Sequence, residues 1–174
     1  MKKIVSLVFG LGMLAGAFAM QAQEKRASPH EKISAVMNGK KVTIEYGRPY
    51  LKGRGFGTEL APSGQVWRTG ADEATTLVTE GDLMLGSLHV PAGTYTLFTI
   101  PTAGEWTLIV NKVPKQWGAF KYDEKMDLGR AKMKAAKTSG PVEQFTIALD
   151  AKGSQGTLKM SWGNVEASIP VMAH

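Results

Sequence analysis

Apolar side chains recur at every second position along most of the chain from Lys32 onward, in short segments parted by Gly, Pro, Asn and Asp. A period of two sends alternate side chains to opposite faces of an extended backbone, so each segment reads as a strand with one face toward a core. Long stretches with helical spacing are missing, which leaves no crossover helices for a parallel sheet. The predicted fold class is all-β, an antiparallel β-sandwich or jelly roll.

The clearest hairpin runs from Ile33 to Met37, turns at Asn38-Gly39 and returns from Lys41 to Tyr46. Asn-Gly accepts the positive φ angles of a type I′ turn, which sets the register. Leu83 to Leu85 and Leu88 to Val90 form a second hairpin about Gly86-Ser87. Thr94 to Ile100 is apolar on both faces, Tyr95 and Leu97 on one and Phe98 and Ile100 on the other, the pattern of a central strand covered on both sides. Trp106 to Val110, Phe145 to Leu149, Leu158 to Trp162 and Val165 to Ile169 alternate likewise, and Gly163-Asn164 is predicted to join the last two as a tight hairpin. Arg130 to Ala136 reads as a strand with a lysine-guarded edge, although its Ala and Lys content also suits a helix.

At the N-terminus, Met1, Lys2 and Lys3 precede an apolar run from Ile4 to Phe18 that ends in small residues. This is the layout of a secretory signal peptide over residues 1–22, processed after Ala19 or after Ala22. The run is shorter than the roughly 20 residues a spanning helix needs, so no membrane span is expected after cleavage. Residues 23–174 are then a single β-sandwich domain in the periplasm or outside the cell. The absence of cysteine excludes both a lipoprotein anchor and disulfides, leaving the core to hold the fold. Setting aside Lys2 and Lys3 leaves 19 basic residues against 15 acidic, a net charge near +4. The lysines gather between Lys112 and Lys137, which reads as a solvated edge rather than a nucleic-acid face.

Between Tyr46 and Trp67 the chain is crowded with glycine and proline, a loop of the kind that carries function. It and the stretch that follows hold the candidate ligand-binding residues Arg48, Arg54, Trp67, Arg68 and Glu73. Guanidinium groups suit carboxylates, sulfates or phosphates, and an indole face suits a sugar ring, so the expected partner is a carbohydrate or an anionic small molecule. The same residues also read as an ion-pair network closing one end of the sandwich, with Asp72 and Glu73 pairing with arginines and Trp67 in the core. Gly53-Arg-Gly-Phe-Gly57 lacks the Lys-Ser/Thr and the strand-loop-helix setting of a phosphate-cradling loop. His30, His89 and His174 stand apart in sequence, His30 and His174 at loosely held ends, so no metal site, cofactor or catalytic triad is predicted. Asp123, Glu124 and Asp127 read as a solvated turn. The leading expectation is a non-catalytic ligand-binding or structural module of the cell envelope. The alternative is a glycan-directed envelope hydrolase pairing Glu73 with a distal carboxylate.

Tyr46-x-Arg48-Pro49, Lys52-Gly-Arg54, the run Val66-Trp-Arg-Thr-Gly-Ala-x-Glu-Ala-Thr75, and Pro91 to Pro101 followed by Trp106 together form a pattern. In these motifs the chain resembles the exported bacterial domain-of-unknown-function family twenty-nine eleven, over most of its length after the signal segment. The resemblance implies an exported β-rich domain, supplies no reaction or cofactor, and points to the same arginine-rich stretch. Asp72 stands where the family pattern more often has asparagine, exchanging an amide donor for a charge.

Overall fold

A computed structural model describes Arg26 and residues 28–174. The segment 1–22 predicted as a signal peptide, with its predicted processing sites, lies outside the described residues. Among the described residues nine strands run in chain order: β1 (His30–Met37), β2 (Lys40–Gly47), β3 (Thr75–Thr79), β4 (Leu83–Leu85), β5 (Leu88–Val90), β6 (Gly93–Pro101), β7 (Glu105–Asn111), β8 (Asp127–Lys152) and β9 (Gln155–Ala173). They pair antiparallel in one sheet of order β1-β2-β3-β6-β7-β8-β9-β4-β5, so the all-β antiparallel reading holds. One short 3-10 turn, Glu124–Met126, leads into β8.

The sheet becomes a sandwich because β8 and β9 bend. The first part of β8 pairs with β7, while the part from Thr146 to Lys152 pairs with β9 alone, and its register breaks on either side of Val142. That bend brings the far half of β8 against the β1–β2 hairpin and the residues that follow β2. There Phe145 N–H donates to Pro49 O at 2.9 Å, Leu51 N–H donates to Glu143 O at 2.9 Å, and Asn38 N–H donates to Gly153 O at 3.0 Å. Between the two layers lies a core that joins Met37, Ile44, Leu97, Trp106 and Leu108 to Phe145, Ile147, Met160, Trp162 and Ile169.

Both expected hairpins are present with their turns in place, and Asn38 and Gly39 have φ of 49° and 74°, as a type I′ turn requires. β6 is the two-faced central strand. Tyr95 and Leu97 enter the main core, whereas Phe98 joins Ala74 and Ile109 in a second cluster beneath Tyr122.

Three expectations are corrected. Gly163-Asn164 is not a hairpin: β9 continues through it, and the tight turn lies between Lys152 and Gln155, where Gly153 has φ 63°. The buried positions of β9 are Leu158, Met160 and Trp162 before Gly163, then Ala167, Ile169 and Val171 after it. This switch of parity accompanies a register break: β8 advances from Lys137 to Thr146 while β9 advances only from Val165 back to Ser161, so the extra residues lie in β8, opposite Gly163 at φ 60°. Arg130–Ala136 is strand, but β8 is interior to the sheet order: Arg130 to Lys134 pair with β7 and Lys134 to Ala136 with β9, and Lys132 and Lys134 are exposed. Asp127 is not solvated. It accepts hydrogen bonds from Asn111 Nδ2, Tyr122 Oη and Arg130, and burial, with Asp127 adding to it, pushes the Tyr122 phenol up to about 12.

Candidate functional site

Residues 48–74 cross one end of the sandwich without forming a named strand. Backbone ties replace the ladder. Trp67 and Thr99 exchange two hydrogen bonds of 2.8 and 3.0 Å, and Ala74 N–H donates to Gln116 O at 2.8 Å. The return of this loop onto β2 depends on a close approach of two backbones: a Cβ at Gly70 would lie 2.8 Å from Gly47 O, so no side chain fits there. Thr69 and Asp72 take left-handed φ values of 58° and 61°, unusual for a β-branched residue in particular. Thr69 is held in that conformation through its hydroxyl, 3.1 Å from Thr99 Oγ1, and through its carbonyl, which accepts from Thr75 Oγ1 at 2.6 Å.

The five candidate residues separate. Arg48 is a clamp. Its Nη1 lies 3.1 Å from Glu31 Oε2, its Nε donates to Phe145 O at 3.2 Å, and its Nη2 donates to Thr146 Oγ1 at 2.9 Å. It therefore ties β1 to β8 through the end of β2. Beside it the buried Tyr46 hydroxyl donates to Glu31 Oε2 at 2.7 Å and accepts from Ile147 N–H at 2.9 Å. Burial pushes that phenol up to about 12; the Ile147 contact opposes the shift and Glu31 reinforces it.

Arg54, Trp67 and Arg68 come together in one cleft of about 400 Å³, with Glu59, Asp72 and Trp162 among its other walls. Arg54 donates to Leu51 O and Tyr50 O at 3.1 and 3.0 Å, and Arg68 Nε donates to Gly70 O at 3.3 Å. Neither guanidinium has a carboxylate within 4.0 Å among the described residues. The two acids in the wall are already engaged, Glu59 by Gly55 N–H at 3.1 Å and Asp72 by His30 Nε2 at 3.1 Å. Trp67 is only 8% exposed, and most of its ring belongs to an aromatic cluster with Phe56, Trp106, Phe145 and Trp162. What it offers the cleft is an edge at the floor, not an open stacking face.

Glu73 lines a neighbouring hollow of about 560 Å³ with Glu31, Glu45, Tyr46 and Lys115. Its Oε1 lies 2.6 Å from Arg26 Nη2, and its buried Oε2 has His30 Nε2 at 3.4 Å without a hydrogen bond. His30 is the residue the sequence misplaces. It opens β1 opposite Gly47, is half-buried, and sits between Asp72 and Glu73 rather than on a loose end. Forty-two positions separate His30 from Asp72, so spacing carried no signal of their meeting. His89 is exposed beside Asp82, whose carboxyl is held below its usual value by Ala92 N–H and then by His89.

Among the described residues, no helix is long and apolar enough to cross a membrane, and no group of three or more His, Asp or Glu side chains has metal-holding geometry. No curated protein matches the chain, and no solved structure matches it. A family match covers residues 28–171, from just before β1 to near the end of β9, and so includes the cleft, the clamp and the aromatic cluster. The chain belongs to the family described as Protein of unknown function (DUF2911).

Proposed function

We propose that the domain is a non-catalytic binding module of the bacterial envelope, exported to the periplasm or beyond, that captures an anionic group in the cleft formed by Arg54, Trp67 and Arg68. One contrast carries this reading. Arg26, Arg48 and Arg130 each have a carboxylate partner, whereas Arg54 and Arg68 share a cleft and have none within 4.0 Å among the described residues. A guanidinium fixed by backbone carbonyls on one side keeps its remaining N–H groups for a planar anion, which it binds through paired charge-assisted hydrogen bonds. The left-handed Thr69 and Asp72 beside Arg68 are backbone strain of the kind that accumulates at binding loops. Against the hydrolase alternative, Glu73 stands in a different hollow from the arginine cleft and its carboxylate is held by Arg26.

The test is a thermal-shift titration with sulfate, citrate and galacturonate. At a ligand concentration 100 times the dissociation constant, a single site stabilises by about 2.7 kcal/mol. Wild-type protein gains melting temperature with at least one anion, and an Arg54→Ala/Arg68→Ala double variant gains none. Equal shifts for both proteins, or none for either, refute the cleft as an anion site.

A further inference from the structure

Arg68 also lines a second, shallower hollow of about 250 Å³ with Val66, Trp67, Ala119 and Phe120, so the cleft continues past the guanidinium onto the segment between β7 and β8. On this segment two aromatic rings stand in solvent: Trp117 is 55% exposed and Phe120 is 83% exposed. Such rings lose free energy in water unless something covers them, and two on one segment, three positions apart, are a candidate interaction surface.

The backbone that carries them is fixed. Ala74 N–H donates to Gln116 O at 2.8 Å, Gly118 N–H donates to Asp72 O at 3.0 Å, and Tyr122 N–H donates to Ala119 O at 3.2 Å. Below, the buried Asn111 amide oxygen accepts from Val113 N–H and Gln116 Nε2 at 3.1 and 3.0 Å. The rings are therefore displayed in place, and a ligand meets them without first ordering a loop. Gly118 brings the ring and the guanidinium to one point: a Cβ there would stand 2.8 Å from Phe120 Cε2 and 3.5 Å from Arg68 Nη1. On the same segment Lys112, Lys115 and Lys121 are exposed and have no carboxylate within 4.0 Å among the described residues.

We infer that Trp117 and Phe120 are a sugar-stacking platform continuous with the arginine cleft, and that the ligand is an acidic oligosaccharide. One pyranose ring lays its C–H face on the exposed aromatics while its carboxylate or sulfate meets Arg68. This rests on the anion-binding reading of the cleft and names the ligand class for it. The hollow favours a sugar over a lipid surface, because a half-buried guanidinium beside a pocket of about 250 Å³ is reached by a single ring and not by a bilayer face. The exposed lysines complement a polyanion that extends beyond the first ring.

Tetragalacturonate is the probe, read by calorimetry and by acrylamide quenching of tryptophan fluorescence. The quenching reports Trp117, since Trp67, Trp106 and Trp162 are 8% exposed or less. Tetragalacturonate binds wild-type protein and shields Trp117 from acrylamide. Phe120→Ala and Trp117→Ala, both checked for native circular dichroism, each weaken the tetramer about threefold to tenfold and leave citrate binding unchanged. Tetramer affinity unchanged in both variants overturns the platform while the cleft stands. Loss of citrate and tetramer binding together in wild-type protein removes the cleft reading and the platform with it. Shielding of Trp117 by phosphatidylglycerol vesicles without shielding by the tetramer overturns the sugar assignment in favour of a lipid surface.

Discussion

The indoles of Trp67 and Trp162 stack with ring centroids 5.6 Å apart and 14° between their planes. Trp67 comes from the loop that bridges to β6, and Trp162 comes from β9 just before Gly163, so the pair joins both layers of the sandwich. Phe145 meets both rings, at 5.0 and 5.7 Å. Removing Trp67 opens a large cavity at this joint. Trp67→Ala is expected to cost about 3–5 kcal/mol, and Trp67→Phe less, in urea unfolding followed by near-ultraviolet circular dichroism. A loss below about 1 kcal/mol for the alanine variant contradicts the core assignment.

Arg48 and Arg68 lie in the same stretch and are expected to fail differently. Arg48→Ala strips Glu31 of its cation and leaves Phe145 O without its guanidinium donor, at a cost of about 1–3 kcal/mol in stability. Anion binding at the cleft survives. Arg68→Ala costs less in stability, because its described hydrogen bond is the one to Gly70 O, and it weakens anion binding at least tenfold. Paired melting curves and calorimetry on the two variants decide this, and matching profiles count against the division.

The Tyr46 phenol, pushed up to about 12 from 10.0, links stability to alkaline pH. The folded state holds this proton more tightly than the unfolded state does. Its contribution is therefore complete below pH 10 and is lost as pH climbs toward 12. Tyr46→Phe is less stable at neutral pH, having lost the Glu31 and Ile147 hydrogen bonds, but its stability falls less steeply than wild type across that window. Parallel slopes for the two proteins in pH-dependent urea melts contradict the linkage.

Asn111 uses both ends of its amide, donating through Nδ2 to Asp123 O and Asp127 Oδ1 at 3.1 and 3.0 Å while its oxygen accepts two bonds. Asn111→Asp replaces those donors with an acceptor facing a carboxylate. The expected cost is about 2–4 kcal/mol, with the Trp117 segment loosened. Hydrogen exchange at Gly118 and Tyr122 reads the loosening directly, and unchanged protection there shows that the network does not hold the platform.

Most of the strand inventory was legible because a half-buried strand writes its burial into the sequence at period two, and turns such as Asn38-Gly39 have few chemical alternatives. The break opposite Gly163 left a trace in the sequence, a change of parity from Leu158, Met160 and Trp162 to Ala167 and Ile169, but glycine beside asparagine also spells a turn, and local chemistry does not separate the two. Only the partner strand does, by shifting register at Val142. The candidate site was partly legible. Arginines spaced along a glycine-rich loop announce a cationic surface, yet which of them finds a carboxylate depends on what the far half of β8 and the start of β1 bring to them.

By itself, then, the sequence determined most of the strand segments and their faces, the family and the arginine-bearing loop, since each of these follows from neighbouring residues. It did not determine that β8 and β9 run on as single long strands or that Thr75–Thr79 pairs as β3. Tertiary structure alone decided that Arg48 clamps while Arg54 and Arg68 have no carboxylate within 4.0 Å among the described residues, that Trp67 is core, and that His30 lies between Asp72 and Glu73. Those outcomes depend on pairings between residues tens of positions apart. They are set by how the long strands β8 and β9 bend, a property of the packed sheet that no short window of residues contains.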